Sequence, residues 1–233
     1  MSAELQQLTI PVIAIDGPVG SGKGTIARQV AHALGWHLLD SGALYRLVAL
    51  AATKQGVSDD DEDALSALAA DLSVRFETDA SGDEHIFLDD GEVTADLRTE
   101  QCGLGASAVA ALTGVRAALL ELQRGFRKAP GLVADGRDMG SNVFPDAFLK
   151  VYLTASAEER AKRRHKQLKD KGIDVSLPAL SRDIEDRDRR DSERTIAPLR
   201  PAADARLLDS SGQSIDEVTQ AVLDWVAELE EGI

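Results

Sequence analysis

Residues 10–25, Ile-Pro-Val-Ile-Ala-Ile-Asp-Gly-Pro-Val-Gly-Ser-Gly-Lys-Gly-Thr, constrain this chain more than any other stretch. A β-branched apolar run gives way to a glycine-rich turn and then to a helix. Ile10, Val12, Ile13 and Ile15 suit a buried strand, and Gly17, Gly20 and Gly22 let the backbone close around an anion. The N–H groups of such a loop, together with the first turn of the following helix, bind the phosphates of a nucleoside triphosphate, and Lys23 reaches the β- and γ-phosphates. The cradle is Gly17, Pro18, Val19, Gly20, Ser21, Gly22, Lys23, Gly24 and Thr25. From Gly17 to Lys23 the G-x-x-x-x-G-K spacing is complete, but Gly24 stands where the general motif has Ser or Thr, and the hydroxyl arrives at Thr25.

With 233 residues, 43% apolar and 28% charged, the chain has room for one α/β core and a smaller insertion. No apolar stretch approaches the roughly 20 residues that span a bilayer. Residues 1–9 hold Glu4 and no basic cluster, so no signal peptide is expected and the expected location is the cytoplasm. A single cysteine, Cys102, excludes an intramolecular disulfide and a cysteine-based zinc site, and it reads as a packing residue. The net charge of −14 argues against affinity for nucleic-acid polymer, so any polyanion contact must be local and the placement of the arginines matters.

Downstream, Ile26, Val30, Ala31 and Leu34 recur at helical spacing before Gly35. Residues 37–39 read as a strand, and Asp40-Ser41-Gly42 as the cap of a helix from about Ala43 to Lys54 with Tyr45 and Arg46 in its first turn. Ligands of doubly wound sheets bind at the carboxyl ends of strands, so Ser41, Tyr45 and Arg46 are expected in the crevice of the cradle. Residues 57–113 change character. An acidic-capped helix carries Leu65, Leu68 and Leu72, then strands at residues 74–78, 86–88 and 92–94 surround an Asp89-Asp90-Gly91 turn. Helix resumes from about Thr99 to Arg127, with a break near Thr113-Gly114, and carries Ser107 and Arg116.

Leu132 to Gly140 is the second informative stretch: a buried strand ends in Asp135, suited to hold a magnesium shell together with Thr25, directly or through water. Arg137 is placed to reach a phosphate, and Asp138 to accept hydrogen bonds from a base or sugar. Residues 148–153 read as a core strand, and Ser156 as the cap of a helix with Glu158, Glu159, Arg160, Arg163 and Arg164 on its surface. In the charge run from Arg182 to Arg194, Arg187, Arg190, Asp191 and Arg194 fall at i, i+3, i+4 and i+7 of a helix. Beside a phosphate cradle, such an arginine face suits a lid that neutralises a transferring phosphoryl group. The chain closes with a strand at residues 206–208 and an amphipathic helix carrying Ile215, Val218, Val222, Trp225 and Leu229.

The strings IDGPVGSGKGT, LLDSGALYR, ADGRDMG and VFPDA, with the arginine run before IAPL, resemble the bacterial cytidylate kinases, nucleoside monophosphate kinases of the P-loop class, over nearly the whole chain. The resemblance implies an α/β P-loop three-layer fold with a central parallel sheet, a small α+β monophosphate-binding insertion and an arginine-rich helical lid. The implied core is residues 1–56, 114–155 and 197–233, the insertion 57–113 and the lid 156–196. It implies a phosphotransferase of pyrimidine nucleotide metabolism that passes the γ-phosphate of ATP to CMP or dCMP with Mg2+, and a monomer. Ser41, Tyr45, Arg46, Arg137 and Arg194 would hold the CMP phosphate. Ser107, Arg116 and Asp138 would read cytosine, and Arg187 and Asp191 would lie near the sugar. Lys23, Asp135, Arg137, Arg187, Arg190 and Arg194 are then the expected catalytic groups. Two alternatives stand beside this: a kinase of UMP or another small acceptor, which would not share the cytosine set, and a nucleotide-hydrolysing switch, whose Asn-Lys-x-Asp motif is missing from the sequence.

Overall fold

A computed structural model describes residues 10–78, 84–170, 172 and 174–232; the expectation for residues 1–9 lies outside the described residues. In chain order the elements are β1 (Val12–Asp16), α1 (Lys23–Leu34), β2 (His37–Asp40), α2 (Ser41–Gln55), α3 (Glu62–Ala70), β3 (Val74–Thr78), β4 (Glu84–Leu88) and β5 (Gly91–Glu92). They continue with α4 (Thr94–Leu97), α5 (Glu100–Val109), α6 (Thr113–Gly125), β6 (Leu132–Gly136), a π-helical turn (Met139–Val143), β7 (Leu149–Thr154), α7 (Ala157–Asp170), α8 (Leu177–Glu193), β8 (Arg206–Asp209) and α9 (Ile215–Glu231). Two compact units result, Met1–Leu39 with Phe126–Ile233, and Asp40–Gly125.

The first unit is built on a five-stranded sheet in the order β2-β6-β1-β7-β8. β1 pairs in parallel with β6 and β7, and β7 with β8. Buried neighbours on both sides explain why β1 reads as a continuous apolar run. Asp16 at its carboxyl end lies opposite Gly136 on one side and Tyr152 on the other. Strand alternation sends Ile13, Ile15, Val133, Leu149, Val151 and Leu153 to one face, beneath Ile26, Ala27, Val30 and Ala31 of α1 and Val218, Val222 and Val226 of α9. The Thr219 hydroxyl of α9 donates to Oε1 of Gln29 on α1 at 2.8 Å. Ser214 and Glu217 close a capping box at the start of α9. Ile215, expected on the inward face, is exposed instead, because this box makes it the first helical residue, ahead of the buried stripe.

The second unit pairs α2 with α5 and α3 with α6, beside an antiparallel sheet in the order β3-β4-β5. Asp40 rather than Ser41 caps α2: its carboxylate accepts the Ala43 N–H at 3.1 Å, so the helix begins at Ser41, two residues before the expected start. Tyr45 and Arg46 therefore sit in the second turn. Asp61 caps α3 in the same manner, and Glu62 Oε1 accepts the Gly114 N–H at 2.7 Å. Strand pairing stops at Glu92 instead of running to Thr94, because the Thr94 hydroxyl accepts the Ile86 N–H and the chain turns into α4. Among the described residues, no single helix is long and apolar enough to cross a membrane.

Candidate active site

Between β1 and α1 the backbone turns through left-handed conformations at Gly20 (φ 77°) and Gly22 (φ 92°), and α1 starts at Lys23. Side chains with a Cβ are strained there, so both glycines are required by the turn itself. A Cβ on Gly17 would sit 2.0 Å from the Leu153 carbonyl oxygen of β7. Gly17→Ala is therefore expected to push the loop off β7 and to destabilise the fold by about 1–3 kcal/mol, seen as a lower melting temperature together with weaker ATP binding. Lys23 is buried; its ammonium donates to the Pro18 carbonyl at 3.3 Å and lies 4.0 Å from Asp135 Oδ1.

The loop is held from outside by side chains that sequence reasoning placed elsewhere. Arg160, expected on the surface of α7, is buried: it donates to the carbonyls of Ala155 and Val19 and forms a two-pronged pair with Asp188 of α8. Arg163 donates to Ser21 O at 3.2 Å and to Ser210 O at 2.6 Å, and the Ser210 hydroxyl lies 3.1 Å from Ser21 O. These partners lie far apart in the chain, and local spacing carries no signal for them. Asp16 is a further residue that local spacing does not reveal, and its carboxylate accepts the N–H groups of Met139 and Gly140.

On the same unit, Arg137 Nε donates to Asp191 Oδ2 at 3.1 Å, and Arg194 donates to Asp191 Oδ1. Asp191 is almost fully buried. Burial alone pushes its carboxyl up, but the guanidinium groups of Arg137, Arg194 and Arg187 outweigh this and hold it below the usual carboxylate range. The expected single helical face is only partly realised. Arg187 is half-buried, Arg190 is exposed with its Nε on Asp186 O at 3.3 Å, and Arg194 lies past the last helical residue. The chain leaves α8 extended at Arg194 (ψ 134°), and this turns the guanidinium back onto Asp191. Asp138 is buried, and Asn142 Nδ2 donates to its Oδ2 at 3.1 Å.

Thr25 is exposed in the first turn of α1, and the Asp135 carboxylate is buried at the end of β6. A Cβ on Gly24 would lie 3.0 Å from Asp135 Oδ2, so the glycine leaves the carboxylate open toward the cradle. Hydroxyl and carboxylate oxygens are the donors that Mg2+ takes, so these residues fit the ion. Among the described residues, no group of three or more His, Cys, Asp or Glu side chains could hold a metal.

In the second unit, Ser41 and Tyr45 of α2 and Ser107 of α5 are buried on helices that pack together. Arg116 of α6 is buried with its guanidinium 5.7 Å from the centre of the Tyr45 ring, and it donates to Ala110 O at 3.3 Å. Arg46 donates to Leu97 O at 2.7 Å and Thr99 O at 3.2 Å, and Gly103 packs directly on it. Cys102 is a buried packing residue whose thiol contacts Arg46 O; burial pushes that thiol up.

The family model described as cytidylate kinase matches residues 13–228. The chain is 60% identical to the cytidylate kinase of Methylococcus capsulatus over 94% of its length and 98% of the relative's. It is 60% identical to that of Pseudomonas aeruginosa over 92% of its length and 94% of the relative's. With the enzyme of Nitrosococcus oceani it shares 56% identity over 94% and 96% of the two chains.

Proposed function

The chain belongs to the cytidylate kinase family and is accordingly a kinase that phosphorylates CMP with ATP; we propose that it does so by direct in-line transfer, on CMP and dCMP alike, through the side chains described above. The observation that carries this reading is a buried lysine at the end of a phosphate cradle in the unit that also locks Arg137 and Arg194 onto one buried carboxylate. Donor and acceptor are both polyanions, so transfer needs fixed cations for each.

Cradle residues 17–25 wrap the donor phosphates, and Lys23 adds its charge at the β- and γ-phosphates. Arg137 and Arg194, with Ser41, Tyr45 and Arg46, hold the acceptor phosphate. Ser107, Arg116 and Asp138 read cytosine, while Arg187 and Asp191 lie near the sugar. Arg190 stays on the exposed side of α8 until a lid formed by residues 156–196 closes and excludes water. Thr25 and Asp135 would hold Mg2+, largely through water, and the ion would neutralise charge on the donor phosphates. A phosphate monoester has its second ionisation near pH 6, so the attacking oxygen is already charged at neutral pH and the chain needs no strong general base. We take the working form to be a cytoplasmic monomer.

The test is ADP formation from ATP and magnesium, in a coupled assay, across CMP, dCMP, UMP, AMP, GMP and shikimate with an acceptor-free control. Turnover confined mainly to CMP and dCMP is the expected result. Stronger turnover on another acceptor would discard the Ser107, Arg116 and Asp138 pocket while keeping the cradle, and hydrolysis indifferent to every acceptor would favour a switch.

A further inference from the structure

The turn that carries Arg137 and Asp138 is tied to the root of the cradle by one side chain. Asp16 ends β1 and directly precedes Gly17. Its Oδ1 accepts the Met139 N–H and its Oδ2 the Gly140 N–H, each at 2.8 Å. Those N–H groups belong to the first residues of the π-helical turn Met139–Val143, where helical donors have no partner within the helix. The turn then closes on itself: Asp138 O accepts from Asn142 N and Val143 N, and Met139 O from Phe144 N. Both oxygens of a buried carboxylate are thus spent on the backbone immediately after Arg137 and Asp138.

We infer that Asp16 is a positioning residue of the phosphoryl transfer, fixing the acceptor-binding pair Arg137 and Asp138 to the base of the donor cradle. The inference rests on the reading above, in which those two residues bind CMP. An ionised carboxylate offers two full acceptor oxygens in this geometry; protonation weakens acceptance at one of them, and an amide presents a donor to one of the two N–H groups. Burial pushes the Asp16 carboxyl up to about 6, against the pull of the Gly140 and Met139 N–H groups. Asp138 adds to the rise and Arg137 opposes it, and Tyr152 of β7 is the further titratable group that faces Asp16. Because the folded carboxyl titrates above its unfolded range, the protonated form becomes the major one below about pH 6, and the clamp is complete only above it. The cradle has separate supports in Arg160, Arg163 and Ser210, so loosening the clamp affects the acceptor more than the donor.

The experiment compares wild type and Asp16→Asn from pH 5 to 8. At pH 8 the variant is expected to lose about ten- to a hundredfold in kcat/KM for CMP, with KM for ATP within about twofold of wild type. The ratio of wild-type to variant kcat/KM cancels the ionisation of CMP itself, and it is expected to shrink toward one as the pH falls through about 6. A ratio constant with pH, or a rise in KM for ATP as large as that for CMP, would overturn the positioning role. Should the variant not fold, the wild-type amide resonances of Arg137, Asp138, Met139 and Gly140 are followed instead. They are expected to shift together with a midpoint near 6, and no shift between pH 5 and 7.5 would overturn the inference. Arg137→Ala serves as the control for the underlying reading: an unchanged KM for CMP there removes the acceptor assignment itself, whatever Asp16 does.

Discussion

Lys23→Ala is expected to lower kcat/KM for CMP phosphorylation by about a thousandfold, with most of the loss in kcat. The ammonium is buried, anchored on the Pro18 carbonyl and 4.0 Å from Asp135, so it is held in place before any nucleotide arrives. A charge fixed in advance stabilises the transferring phosphoryl group without reorganisation, and no water reaching an alanine-lined gap can match it. Removing the lysine also takes away the cation that lies 4.0 Å from the Asp135 carboxylate, so the site becomes more negative where phosphates must bind. Steady-state kinetics with CMP varied at saturating ATP gives the measurement. A loss under tenfold would mean that the lysine serves the loop's shape and not the transferring group.

The second large effect is expected from Asp191→Ala, which removes the carboxylate shared by Arg137 and Arg194. Arg137 and Arg194 then lose the carboxylate they share, and Arg187, which also acts on it, loses that attraction. We expect a loss of about a hundredfold or more in kcat/KM for CMP, because the arginines proposed to hold the acceptor phosphate splay apart. A loss of roughly 3 kcal/mol in stability at neutral pH accompanies it, as removing one partner of a buried ion pair leaves the other uncompensated. The sign with pH follows from the depressed titration of Asp191. A carboxyl held below its unfolded value stabilises the fold above that value, about 3.9 for aspartate, and loses the contribution as the pH falls through the folded one. Thermal melts of wild type and variant should therefore differ by a constant amount above about pH 5 and converge only in stronger acid. Melts that already coincide at pH 7 would exclude a structural role for the pair.

What the sequence discloses is local chemistry. The apolar run of β1, the glycine turn and Lys23 are adjacent in the chain, and each demands the others for a physical reason, so the cradle is legible from residues 10–25 alone. The proximity of Asp191 and Arg194 is legible too, since they stand three positions apart. Helical periodicity overreached there. It carried Arg194 along the same face as Arg187 and Arg190, whereas α8 ends at Glu193 and an extended residue folds the guanidinium back. Arg160 was hidden for a different cause: its contacts with Val19 and Asp188 span 141 and 28 residues, and a helix with this many charges looks solvated from its own sequence. Asp16 shows the same limit, since its acceptors' partners lie 123 and 124 residues away. The sequence places the cap of α2 within Asp40-Ser41-Gly42, and only the backbone geometry decides that Asp40 is the residue that caps.

The strand order carries a consequence for how the protein is made. β1 leaves the ribosome well before both of its neighbours, since β6 and β7 lie beyond residue 131. β2 likewise has β6 beside it in the sheet. During synthesis the apolar strand that leads into the cradle must therefore wait, unpaired, while the contiguous unit Asp40–Gly125 is completed ahead of it. A nascent chain halted before β6 would therefore present that strand to chaperones or to other nascent chains.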